Sequence, residues 1–409
     1  MIRAVSIGLL AVGFAAPVAA DGFRIRTEVS GNRVWSDAGS LDAALGFSNR
    51  RSMTGSMRVM WDKTAGPFRF EIHSQLGFSQ GDNVAYAAAL APFVGVPRPA
   101  TFFDLTHTVH RDGDTYVTNM IDRLSVSYSS ENFVLKLGRQ AITWGGGMVF
   151  HPGDIVAPFA PDAIDTAYKP GADMIYGQYL FESGADIAAI YVPRAAVSGG
   201  PLDANQSTFA LRTQFTIGAL DSRVMLARDR GDRVASLGFS GALGGASWNV
   251  DYVGWKLANG ETHPSWVMNI ANFTTLGDMN VSYFGEYFHN GFGIGSGIAL
   301  DSLPASLTKR MGTGQVFLTG QDFLAVGATL SLTPDFSIGP NMIISLDDGS
   351  ALAGLSVDYA LGDNTNLVFN YQQSIGAQGS EFGGRETSAG SGVYGGMQKT
   401  ATLQLVHFF

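Results

Sequence analysis

Taken at every second position, the first five strand-like stretches place Arg24, Arg26, Arg58, Arg69, Arg123 and Lys136 on one register, with Glu28 and Glu71 as the acids among them. Side chains two apart on a strand share a face, so these groups form a basic wall. Set opposite acids, such a wall makes a transverse field that sorts ions by charge. The acids available are Asp154, Asp162 and Asp165, in a stretch that no strand can contain. The plainer reading is that any wet wall is polar and that its charges pair locally. Farther along, Arg212, Asp251, Glu286 and Asp358 give the later strands a different mix.

The acid-bearing stretch runs between Phe133 and Tyr179. Apolar residues alternate from Phe133 to Leu137, then the alternation fails at Trp144. Gly145, Gly146 and Gly147 follow, and Pro152, Pro158, Pro161 and Pro170 oppose both helix and ladder. A loop of about thirty residues in a compact protein is usually functional or disordered. Trp144, Met148, Phe150, Ile155, Val156 and Phe159 make this one too apolar for a disordered segment, so it must pack against something. Trp144, Met148, Phe150 and Phe159 either form an apolar constriction or anchor the loop to a wall. Arg139 shares parity with Leu135 and Leu137, so it is turned inward by a bulge or sits at a rim. The three glycines lack the Lys-Ser/Thr of a phosphate-binding loop. His107 and His110, beside Asp104, Asp112 and Asp114, are a weak metal-site pattern, and no metal or cofactor is assigned. No grouping of Ser, His and Asp, or of paired carboxylates, marks a catalytic site.

What positions these groups follows from composition and rhythm. Residues 1–20 carry Arg3, an apolar run from Val5 to Val18 and a small-residue end at Val18-Ala19-Ala20, the pattern of a secretory signal. The remaining chain, 21–409, has no Cys and so no disulfide framework. With 35 acids against 26 bases, the charge balance excludes a nucleic-acid binder. Gly supplies 52 of 409 residues, nearly twice the usual share of about 7%. Together with 11% aromatics and 15% charge, this favours strands and turns.

About eighteen segments of roughly ten alternating residues can be marked, the signature of a transmembrane barrel. Sixteen remains possible, because the strands at Arg223 and Arg233 are weakly patterned. The expected second, third and fourth strands are Met53 to Asp62, Phe68 to Phe78 and Met120 to Tyr128, with a long loop from Gln80 to Thr118 before the fourth. Every second connection is a tight turn, such as Gly244-Gly245-Ala246 or Gly362-Asp363-Asn364, and all the long loops fall in the other set. A soluble sandwich has no reason to sort its loops this way, whereas a membrane barrel has short periplasmic turns and long outside loops. Phe209, Leu211 and Phe215 oppose Arg212 and Gln214, and Leu355, Val357 and Tyr359 oppose Ser356 and Asp358. The apolar sets are expected to face lipid, and the polar sets a wet lumen.

The end of the chain, Ala401, Leu403, Leu405, His407 and Phe409 on one face, resembles the closing strand of Gram-negative outer-membrane barrels. In those a terminal Phe serves as the signal to the barrel-assembly machinery, which the resemblance implies here for Phe409. The loop at about 141–172, third on the outside, resembles the inward-folded third loop of general porins, without their Pro-Glu-Phe-Gly-Gly stretch. Gly138-Arg139-Gln140 followed by Trp144-Gly145 is similar to segments in eighteen-stranded substrate-selective and alginate-export barrels. The resemblance implies an all-β, antiparallel up-and-down barrel in the outer membrane of a Gram-negative bacterium, as a monomer or homo-trimer. It would be a passive channel for small polar solutes, with outer-membrane lipid as its surroundings. The alternatives are a polysaccharide-binding or polysaccharide-export barrel and an outer-membrane hydrolase. The residues expected to line the pore are Arg24, Arg26, Arg58, Arg69, Arg123, Lys136, Arg139, Trp144, Asp154, Asp162 and Asp165.

Overall fold

The computed structural model describes residues 22–91, 101–163, 167–396 and 398–409. The expected leader at 1–20 and Asp165 lie outside the described residues. Eighteen antiparallel strands close into one ring. The first six are β1 (Phe23–Ser36), β2 (Asn49–Ala65), β3 (Phe68–Gly81), β4 (Thr115–Ser129), β5 (Phe133–Gln140) and β6 (Ala172–Leu180). The next six are β7 (Asp186–Val192), β8 (Thr208–Ile217), β9 (Leu220–Asp229), β10 (Asp232–Leu243), β11 (Ala246–Lys256) and β12 (Thr262–Leu276). The last six are β13 (Met279–His289), β14 (Asp322–Thr333), β15 (Phe336–Ser345), β16 (Ala351–Gly362), β17 (Thr365–Ile375) and β18 (Gln398–Phe408). Each strand pairs with the next, and β18 returns to β1 from Arg26↔Phe408 to Ser36↔Gln398. No helix among the described residues is long and apolar enough to cross a membrane, and the candidate spans are strands.

The expected alternation holds on the outside. Val29, Met57, Ile72, Leu76, Leu211, Leu237, Ile270, Leu355 and Leu403 are exposed there, an apolar surface that only a lipid solvent satisfies. Phe23, Phe68, Tyr128, Phe133, Tyr179, Tyr359 and Phe409 are exposed at the end of the ring where the short turns lie, as an interfacial aromatic girdle. Those turns are 66–67, 130–132, 181–185, 218–219, 244–245, 277–278, 334–335 and 363–364. Gly244 and Gly245 both take positive φ, 58° and 88°, which the twist of a two-residue hairpin demands and a side chain opposes. The weakly patterned strands at Arg223 and Arg233 are both present, joined by Arg230-Gly231 with φ of 48° and 85°.

Three boundaries differ from expectation. β2 begins at Asn49 and β4 at Thr115, because the wall extends beyond the apolar band into surroundings where both faces are wet and alternation vanishes. Part of the segment expected as loop, Thr106–Asp112, pairs with the top of β4 and carries His107 and His110 on an exposed strand. Short helices sit in the long connections: α1 (Leu41–Ala44), whose N-cap Ser40 accepts the Ala43 N–H at 3.1 Å, α2 (Asp82–Leu90), and α3 (Ala305–Gly312).

The inner face departs from the expected wet wall over half the ring. Met174, Ile190, Val192, Ala210, Met225, Val234 and Val253, on β6 to β11, are buried in one apolar cluster with Trp144, Ile155 and Val156 of segment 141–171 and Leu307 of α3. A second cluster joins Phe150 to Val267, Phe288, Phe323 and Ile343 of the wall and to Phe382 of segment 376–397. These inward residues are apolar because loops, not water, lie against them.

Candidate functional site

Gly146 and Gly147 have no room for side chains. A Cβ on Gly146 would stand 2.1 Å from the Asn249 side chain, and one on Gly147 would stand 1.7 Å from the Phe150 carbonyl oxygen. Compactness here turns successive backbone amides toward two buried carboxylates. The Gly146 N–H donates to Asp251 of β11 at 2.5 Å. Met148, Val149 and Phe150 donate their N–H groups to Glu286 of β13 at 2.5, 2.8 and 2.8 Å. Asn269 of β12 donates to both Glu286 and the Gly146 carbonyl at 2.9 Å. Consecutive amides of this kind form an anion-binding concavity. The Gly146 amide and those of Met148 to Phe150, just after the glycine run, thus bind carboxylates of the chain itself. Sequence reasoning placed Glu286 only in a polar mix; the available signal is a single acid in the otherwise apolar and aromatic run Tyr283-Phe284-Gly285-Glu286-Tyr287-Phe288.

The aromatic residues of the same segment divide. Trp144 and Phe150 are anchors: Trp144 is buried in the first cluster, and Phe150 stacks on Phe288 at 4.7 Å between ring centres. Arg212 of β8 lies 5.8 Å above the Trp144 ring. Met148 is 45% exposed. Phe159 lines a narrow cleft with Phe150, Ile155, Phe292 and Arg310. Within the segment, Asp154 is ion-paired with Lys169, whose ammonium also donates to the Ile142 carbonyl at 2.6 Å. Burial pushes the Asp154 carboxyl up, with the Lys169 charge opposing it, and burial pushes the His151 imidazole down. Asp162 is exposed, and its backbone oxygen accepts from Gln372 of β17 at 3.2 Å.

The basic wall forms, and its charges pair within it. Arg24 meets Asp62 at 2.6 Å, Arg26 meets Glu28 at 2.6 Å, and Lys136 pairs with Glu71. Arg69 stands 3.5 Å from both Asp62 and Glu71. Arg58 and Arg123 share Asp122, at 2.5 and 2.8 Å. Among the described residues, no ion pair joins this wall to Asp154 or Asp162. The described contacts with the loop include Arg58 and Arg26 at 4.4 and 5.6 Å from the Tyr168 ring centre, and an Arg123 bond to the Lys169 carbonyl at 2.5 Å. Arg139, buried near the end of β5, grips Asp173 of β6 through two bonds of 2.9 Å and the Phe103 carbonyl through one of 2.7 Å.

A second long connection, 290–321, is tied down by charge. Arg310 of α3, 1% exposed, meets Asp229 at 3.3 Å and also pairs with Asp232, on either side of the β9–β10 turn. Its guanidinium lies 4.0 Å from the Trp255 ring centre. On the opposite side of the ring, two voids of about 350 and 290 Å³ lie between β14–β18 and residues 161–163. Both are lined by Pro161, Asp162, Ile343 and Gln372, so they meet there.

No family model matches this chain, and no curated protein matches it in sequence. Solved structures do match. OccAB4 of Acinetobacter baumannii has a TM-score of 0.54 at 8% identity, over 96% of this chain and 99% of that one. OpdL of Pseudomonas aeruginosa has a TM-score of 0.54 at 9% identity, over 95% and 98%. OpdK of the same organism, solved with vanillate, has a TM-score of 0.53 at 8% identity, over 95% and 98%. These are outer-membrane porins, and the chain shares their fold, here a closed barrel of eighteen strands.

Proposed function

We propose that this chain, having the closed barrel fold of outer-membrane porins, is itself an outer-membrane porin, a passive aqueous channel for small polar or charged solutes. Segment 141–171 lies within the ring and narrows it. The observation that carries this reading is the set of partners the segment reaches. It leaves the wall at β5 and returns at β6, yet it bonds to Asp251 on β11, Glu286 on β13 and Gln372 on β17, and packs Tyr168 against Arg58 on β2. A single segment touches so many sides of a closed ring only from inside it. Solutes pass where the loop leaves space, past Pro161, Asp162 and Gln372.

Pore-lining roles fall to the exposed groups of this path and to Arg24 and Arg69, whose side chains stay half-exposed. Arg26, Arg58, Arg123, Lys136, Arg139, Trp144 and Asp154 act through placement, holding the loop and the wall. The outward Leu403, Leu405 and Phe409 supply the sequence pattern for barrel assembly. Enzymatic activity has no support in the fold, which is shared with channels.

Single-channel conductance of the refolded protein in a planar bilayer, under a salt gradient, tests the reading. Steady conductance that rises when residues 145–169 are deleted is the expected result. A silent bilayer with both proteins would overturn it.

A further inference from the structure

At the long-loop end of the ring, the outer, lipid-side register of β1, β2 and β18 carries Arg33, Arg51 and Lys399. Arg33 and Arg51 are directly opposed across the β1–β2 ladder. Lys399 faces Trp35 across the β18–β1 ladder, two positions farther along. Like charges directly opposite on neighbouring strands are destabilising unless something lies between them. No described carboxylate does: Arg33 has a 3.3 Å bond to Asn49, and Asp82 accepts the Arg51 backbone N–H at 2.8 Å. None of the three cations enters an ion pair among the described residues.

Their height is informative. Arg33 lies ten residues beyond the girdle residue Phe23 on the same strand. At ~3.3 Å per residue, and with strands tilted by about 40°, that is about 25 Å, the height of the apolar band of such barrels. The cations therefore stand at the outer interface. Trp35 is 4.8 Å from the Arg33 guanidinium, an interfacial aromatic holding it in place.

Below them the same face is concave. Gly31 has open space where a Cβ would be, and the hollow around it is lined by Met53, Phe369 and Leu403. Phe369 and Leu403 are exposed. Paired cations above an apolar hollow match an amphiphile with an anionic head. We propose that this rim binds one phosphorylated, acylated lipid of the outer leaflet, its phosphate bridging Arg33 and Arg51 beside Lys399, with an acyl chain in the hollow at Gly31. Guanidinium pairs suit phosphate because each presents a planar fork of donors.

Native mass spectrometry of the refolded full chain in a neutral detergent tests this with three probes: diphosphorylated lipid A, the same lipid dephosphorylated, and inorganic phosphate. One diphosphorylated lipid should be retained. Affinity should fall at least tenfold in Arg33→Gln/Arg51→Gln, and as far for the dephosphorylated lipid. Gly31→Leu, which fills the hollow without a backbone constraint, should weaken the lipid while leaving inorganic phosphate unchanged. Exposed Lys399→Gln, with no packing role, should give a smaller loss. Equal retention by the double variant, equal binding of the dephosphorylated lipid, or inorganic phosphate binding as tightly as the lipid would each overturn the assignment. Conductance read on the same samples keeps this result separate from the channel reading.

Discussion

Arg58 of β2 and Asp122 of β4 meet at 2.5 Å although β3 runs between them, and both side chains are at most 5% exposed. Strict alternation from Arg123 would aim Asp122 at lipid. A register shift spares it that position: His73 faces Arg123 while Ser74 faces Ile121, and the unopposed Asp122 turns inside with its neighbour. One bulge thus gives two cations of the basic wall their shared anion.

Asp122→Ala should be costly for that reason. Removing one partner of a buried pair leaves an uncompensated charge, about 3 kcal/mol of destabilisation. The melting of the folded barrel in detergent should shift accordingly, and the reversal potential in a salt gradient should move toward anion preference. An unchanged melting profile would mean that Arg58 is satisfied by Gln75 and Tyr168 alone.

Glu286→Ala should free the loop. Three backbone N–H groups would lose their acceptor inside the protein, at roughly 1–3 kcal/mol for each group left unsatisfied. The expected signature is larger and noisier single-channel conductance in an intact barrel, with Glu286→Gln intermediate. Conductance identical to the parent protein would show that the aromatic anchors suffice.

Acid should loosen the same loop through His151. Burial holds its imidazole below the ordinary 6.5, against the opposing pull of Asp154 and Glu286. The folded state therefore binds this proton less well than the unfolded state. Its contribution is complete above 6.5 and is lost as pH falls below that value. Current fluctuations should increase on acidification below about 6.5, and His151→Gln should remove that component. A parent and variant with the same pH response would exclude His151 as its source.

Arg310→Met should undock segment 290–321. Asp229 would keep Arg194 at 3.5 Å and Asp232 would keep Lys309 at 2.9 Å. Each buried carboxylate thus loses one of two cations, a loss below the ~3–5 kcal/mol of a fully unpaired buried charge. Limited proteolysis from the outside should then cut within 290–321, while the parent protein resists. Resistance in both would assign the docking to Leu307, Phe292 and the Lys309–Asp232 pair instead.

The eighteen strands were legible because lipid outside the barrel imposes period two wherever it touches the chain, and because Gly-rich turns mark the other end. Where lipid stops, the signal stops, which is why Thr106–Asp112 and the first residues of β2, 49–52, read as loop. Inward-facing Met225, Val234 and Val253 broke the polar pattern for a different reason: their solvent is another part of the chain, 141–171 and α3, and nothing local encodes that. The basic wall could be listed from parity, but its pairing could not, since Asp122 is displaced by a bulge that parity cannot foresee. Arg139 was ambiguous in sequence because its partner Asp173 lies across an unreadable loop.

Glu286 holds the loop by its main chain and makes no demand on the side chains at Met148 and Val149. Placement and lining are thereby separable. A substitution at Met148, which is half in the open, leaves in place the backbone bond that Glu286 accepts there. On the channel reading proposed above, exposed residues of the loop can change one at a time while this fixed carboxylate keeps the backbone where it was.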